Sequence, residues 1–161
     1  MAAGATYEPI ATTTLGSAQA TVTFSSIPQG YTDLILVTSF TSGNNEEMLR
    51  FNGDSGSNYS WTRLWGDGST ANSSRISNTT FIRNTGGDLT TRQNTIIYIQ
   101  NYSNSTTNKT TLSRGTNPSV LTMAVVGLWR NTASITSMTY SASANNFATG
   151  STFTLYGIAA A

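Results

Sequence analysis

The chain has no cysteine, no histidine, only three prolines, and charge on just 9% of its 161 residues. Without cysteine there are no disulfides, no zinc–thiolate centres and no thiol nucleophile, and that absence fits either redox compartment. Without histidine the usual general base near neutral pH is missing. Covalent catalysis would then rest on a hydroxyl helped by the single lysine, Lys109, or by an aspartate. The shortage of charge is the more telling, because an ordinary soluble domain is about 25% charged. Eight basic and seven acidic residues leave a net charge of +1. The arginines, among them Arg50, Arg63, Arg75, Arg92 and Arg130, stand singly. A nucleic-acid partner needs a clustered basic footprint, so none is expected. Apolar stretches around Leu34–Val37 and Val120–Trp129 are short or broken, well under the roughly 18 residues of a membrane span. The start, Met1 to Thr6, has neither a basic region nor an apolar core, so no secretory signal and no membrane association are expected.

What fills the space is hydroxyl and amide. Threonine, serine and asparagine make up 29, 21 and 15 of the residues, so the surface is polar without being charged. Asn58, Asn72, Asn78, Asn101, Asn104 and Asn108 each begin an Asn-X-Ser/Thr triplet, but a composition this rich produces about five such triplets by chance, so they carry no functional weight. A length of 161 residues suits one domain with one hydrophobic core.

Apolar positions recur with a period of two, with β-branched and aromatic residues in the runs and Gly, Asn, Asp and Ser between them. This predicts strands over Ala20–Phe24, Leu34–Phe40, Met48–Asn52, Tyr59–Trp65, Ile76–Arg83, Asn94–Asn101, Lys109–Arg114, Val120–Arg130, Ser134–Tyr140 and Ser151–Ile158. Turn chemistry at Gly43-Asn44, Asp67-Gly68, Gly86-Gly87 and Asn145-Asn146 predicts short connections. Pro9, Pro28 and Pro118 fall at strand starts or loops, where a missing N–H breaks no ladder. The segment Asn45 to Arg50 comes nearest to a helical period, and the Asn52-Gly53 turn signal soon ends it. Eight to ten strands at even spacing predict an all-β antiparallel sandwich, jelly-roll-like, over residues 16–161. Residues 1–15, mixing Gly, Ala and Thr around Tyr7, Pro9 and Ile10, read either as an arm that docks on a neighbour or as a frayed end with a first edge strand. The closing strand is expected to lie inside a sheet.

Tyr59, Trp61, Arg63 and Trp65 fall on one face of their strand, with the arginine placed to lie across aromatic rings. Such a stripe suits an interface or inner rim, since Trp, Tyr and Arg dominate binding hot spots; as a solvent-facing platform it would stack sugars. Asp54 and Asp67 flank the same strand in Gly-rich turns. As a pair they would be the carboxylates of a glycoside hydrolase, and singly they are turn-formers, the reading preferred here. The loop Asn52 to Asn58 lacks the acidic series of a calcium site. No catalytic residue, cofactor or metal site is expected.

Four ordered segments carry a resemblance: Phe24 to Leu34 (FSSIPQGYTDL), Phe51-Asn52-Gly53-Asp54 with Asn58-Tyr59-Ser60, Gly127-Leu128-Trp129, and Gly150 to Ile158 (GSTFTLYGI). Together, over about Leu15 to Ile158, they resemble a family of small virion proteins of tailed bacteriophages, common among aquatic and cyanobacterial phages. The resemblance implies a jelly-roll-like sandwich in the virion, either a capsid decoration (cement) protein or a tail-fibre or head-fibre module that recognises host polysaccharide. The expectation adopted is a decoration protein, a homotrimer on the capsid surface. Its partners would be the major capsid protein and itself, with Tyr59, Trp61, Arg63, Trp65, Tyr7, Pro9 and Ile10 as contact residues.

Overall fold

The computed structural model describes residues 6–84, 87–117 and 121–159. Among them the chain is all β, with no helix, and every strand pair is antiparallel. An eight-stranded sheet runs in the order β1 (Tyr7–Thr14), β14 (Thr152–Ile158), β3 (Asp33–Phe40), β10 (Gln93–Gln100), β11 (Lys109–Asn117), β12 (Leu121–Trp129), β6 (Tyr59–Gly66) and β7 (Ala71–Thr79). A four-stranded sheet of β2 (Thr21–Phe24), β13 (Met138–Ala142), β5 (Glu47–Phe51) and β8 (Ile82–Arg83) packs against it, and β4 (Gly43–Asn45) pairs with β9 (Gly87–Leu89) in a separate ribbon. The sandwich expected from the two-residue period is therefore present, with more strands than the eight to ten expected. The segment nearest to a helical period lies in β4 and β5, and the Gly43-Asn44 turn cue falls inside β4.

The run Ile76–Arg83 is not one strand but two. A bulge at Asn78, with φ of 57°, ends β7, and the chain crosses to the smaller sheet as β8. Arg130 holds the bulge by donating to the Asn78 Oδ1 at 3.0 Å and to the Ser57 carbonyl at 2.8 Å. Beyond the crossing, Ile82 enters the core above Gly127, where any Cβ would meet the Ile82 Cγ2 at 2.6 Å. Another tight approach is at Gly157, whose Cβ would run into the Tyr31 ring.

Side chains from the two facing sheets make one core. At one end Phe40, Tyr140, Phe147 and Phe153 pack ring against ring, and at the other Trp129 lies between Phe51 and Tyr59. Residues 7–14 form edge strand β1 along β14, and Leu15 is buried in the core. Removing everything through Leu15 would thus strip a paired strand and a core residue, rather than trim a detachable arm. Residues 1–5 of that expected segment, together with Gly86, Pro118 and Val120 of the turn, proline and strand expectations, lie outside the described residues.

Candidate functional site

The aromatic–arginine stripe divides along its length. Tyr59 and Trp61 are core residues. Tyr59 accepts a hydrogen bond from the Phe51 N–H at 3.1 Å and donates to the Asp54 carbonyl at 3.1 Å, and burial pushes its hydroxyl up to about 12. Only Arg63 and Trp65 reach the rim. There the guanidinium carbon lies 4.1 Å from the centre of the Trp65 ring, and burial, with Arg83 nearby, lowers the Arg63 pKa. As a platform for sugar stacking the stripe is compromised: Trp61 is enclosed, and Arg63 occupies a face of Trp65. The N-terminal residues divide too. Tyr7 and Pro9 lie on the outer side of the large sheet, opposite Ile158 and Tyr156, whereas Ile10, at a register shift between Pro9 and Ala11, packs against the core.

The acidic candidates are turn residues. The Asp54 carboxylate accepts from Trp129 Nε1 at 2.7 Å, Asn58 Nδ2 at 2.9 Å and the Gly56 N–H at 2.8 Å. Burial opposes its charge, but these donors outweigh burial and hold the pKa below the ordinary value. Asp67 accepts from the N–H groups of Thr70 and Ser69 and from the Thr70 hydroxyl, which lower its pKa. The two aspartates flank opposite ends of β6, whose eight residues span about 23 Å at roughly 3.3 Å per step. That is far beyond the roughly 5–9.5 Å of a glycosidase pair. Lys109 is buried, with Nζ donating to the carbonyls of Thr107 at 2.7 Å and Thr132 at 3.0 Å. It is an anchor for two loops.

The feature that sequence reasoning missed is the outer face of the eight-stranded sheet. Register places Pro9, Tyr156, Ile35, Tyr98, Leu112 and Val126 in one row across six strands. A second row beside it holds Val37, Ile96, Arg114, Ala124 and Leu64. Leu112 is 47% exposed, Val126 55% and Leu64 60%. Ile35 is nearly covered, on the floor of a depression of about 340 Å³ that Tyr7, Asp33, Tyr98, Gln100, Leu112 and Ile158 help to line. A larger depression of about 690 Å³, lined by Leu64, Trp65, Thr122, Met123 and Ala124 among others, opens near the β6–β7 hairpin. The signal was available. In β3, β10 and β12 the apolar residues run on through both faces (LILV, IIYI, MAVV), which is the pattern of strands covered on both sides.

The inner face of the same sheet carries polar groups in return. Thr38, Thr95, Gln93, Thr111 and Ser113 are buried there, and Glu47 and Asn84 are buried on the smaller sheet. Burial pushes the Glu47 carboxyl up to about 8, only partly offset by its own backbone N–H and then by Arg83. The Tyr140 hydroxyl is raised well above 10 by burial and then by Glu47, against smaller opposing contributions from Thr38 and Thr95. At neutral pH Glu47 is therefore mainly uncharged, which is how a carboxyl persists inside a core.

The comparisons identify no family. No protein-family description and no curated protein matches the chain. Among solved structures, an alginate lyase variant in complex with an alginate tetrasaccharide is similar over 93% of this chain and 80% of its own, at 10% identity and a TM-score of 0.29. A likeness that slight carries neither fold, substrate nor activity to this protein.

Proposed function

We propose that this protein is a non-catalytic structural component of a bacteriophage virion, a capsid decoration protein that stabilises the shell of major capsid protein from outside. The observation that carries the reading is the outer sheet face, a broad apolar stripe in a chain otherwise covered by hydroxyls and amides. Monomeric soluble proteins rarely leave apolar patches beyond a few hundred Å² uncovered, and larger ones mark contact surfaces. Low charge suits the same task, because contacts made without ions are not weakened by screening over a Debye length of about 8 Å. The phage-like segments supply the setting, and the Arg63–Trp65 rim supplies a polar-aromatic patch for the capsid. Many weak contacts, repeated over identical sites, would add to firm attachment.

The test is co-sedimentation of the purified protein with capsids that lack it. Saturable binding at hundreds of copies per particle is the expected result, weakened several-fold by Trp65→Ala. Absence of the protein from the capsid pellet, or a handful of copies confined to the tail, overturns it.

A further inference from the structure

We propose that the outer face of the eight-stranded sheet is covered by a second copy of this chain, packed sheet on sheet about a two-fold axis centred near Tyr98. This rests on the reading above of that face as a contact surface, gives the face to a second copy in place of the homotrimer expected from the resemblance, and leaves the Arg63–Trp65 rim for the capsid. Three observations support a copy of the chain itself.

The first is pattern. The three strands β3, β10 and β12, which flank or lie near the middle of the sheet, are apolar on both sides, as in sheets with both faces covered, whereas a sheet with one solvated face alternates cleanly. The second is size. The apolar rows cross six strands; at about 4.8 Å per strand and 3.3 Å per residue the two rows cover roughly 380 Å², and with their polar margins the whole face covers roughly 750 Å². A stable standard-size interface takes about 800 Å² from each partner.

The third is charge. The strands that carry the rows, from β14 to β6, place two charged side chains on the outer face, Arg114 and Asp33, and at its margin Arg92, just before β10, donates to the Ser39 carbonyl and hydroxyl. Arg114 lies two residues beyond Leu112 on β11, and Asp33 two residues before Ile35 on β3, so the two flank Tyr98 on opposite sides, one strand to either hand. A copy turned over about the diagonal between them sets each arginine against the other's aspartate, with Tyr98 meeting Tyr98. Strands then cross near 90°, one of the two ways in which sheets pack. Two-fold contacts of this kind are self-complementary. Asp33 also accepts the Asn101 N–H at 2.7 Å through Oδ1, which leaves Oδ2 for the arginine.

Sedimentation velocity on the full chain, without capsids, tests this. The wild-type protein should sediment at twice its 17.1 kDa. Leu112→Asp, a change at an exposed position, should give the single-chain mass with an unaltered far-UV circular dichroism spectrum and the melting temperature that the wild type shows when too dilute to pair. Arg114→Asp and Asp33→Arg should each weaken association at least tenfold, and mixing the two variants should restore the two-chain mass, since each then meets its opposite sign. A single-chain mass at about 100 µM, a concentration that would populate even weak dimers, overturns the proposal. So does a three-chain mass, a Leu112→Asp protein that still pairs, or a failure of the mixed variants to recombine. A pair that ignores capsids would sink only the capsid function, and a monomer that binds capsids would sink only this inference.

Discussion

The two faces of the eight-stranded sheet depart from those of a simple water-soluble sandwich: polar groups are set among the apolar side chains of the inner face, and apolar rows stand on the outer one. Strand β11 shows it best: Lys109, Thr111, Ser113, Gly115 and Asn117 point inward, while Leu112 points out. Inside, two of the polar groups are accommodated individually. Lys109 is satisfied by two carbonyls, and Glu47 is kept neutral. Outside, Leu64, Leu112 and Val126 stand largely uncovered by the described residues. The contrast teaches that a strand's alternation decides which residues share a face, but what lies against that face decides whether the polar or the apolar set is the buried one.

The contrast can be broken most directly at its extremes. Trp129→Ala should remove about 5 kcal/mol, the upper end for a buried aromatic, because it empties the space between Phe51 and Tyr59 and takes the indole donor from Asp54. Urea unfolding would measure it, and a loss below about 1 kcal/mol would mean that the inner face is not the core.

Glu47 is next. Its folded pKa, about 8, lies above the unfolded value near 4.5, so the folded chain holds the proton more tightly. Stability is whole below about pH 4.5, falls as pH rises toward 8 and levels above it. At about 1.4 kcal/mol per unit the full span is on the order of 5 kcal/mol. Arg83, Glu46 and Tyr140 are the ionisable groups that interact with it. Unfolding midpoints of Glu47→Gln between pH 5 and 9 should lose most of this slope, the variant being the more stable protein at pH 9. A slope identical to that of the wild type would assign the effect elsewhere.

Lys109→Met should cost about 2 kcal/mol, because the Thr107 and Thr132 carbonyls lose a charged donor in a buried place. The smallest effect belongs to the outer face. In dilute solution Leu112→Thr should change unfolding free energy by less than about 0.5 kcal/mol, as exposed positions do. A larger loss would show that the outer row contributes to the fold of the single chain.

Much of the architecture was legible in the sequence. The two-residue period, the turn residues and the absence of helical patterning led to strands now seen as β2, β3, β5, β6, β10, β11, β12, β13 and β14. The turn reading of Asp54 and Asp67 was legible for the same local reason, since an aspartate that bonds to its next few N–H groups needs no distant partner. The stripe from Tyr59 to Trp65 was not. Its face was correctly inferred to be shared, but the covering is uneven: β8 packs over β12 and β6, enclosing Trp61 and leaving Arg63 and Trp65 at the edge. That depends on a strand crossing near residue 80, which no local signal in Ile76–Arg83 announces.

Composition and periodicity alone therefore determined the chemistry available and the kind of sheet, because residue type and alternation are properties of short stretches of chain. They determined that thiol and imidazole chemistry are excluded and that the surface is polar without charge. Only the tertiary structure decided which side of each strand is inside. Burial depends on the order of strands in the sheet and on how far the smaller sheet extends across the larger, and both are set by contacts between residues far apart in sequence. That long-range arrangement buries Lys109 and Glu47 and leaves Leu112 and Val126 on the surface.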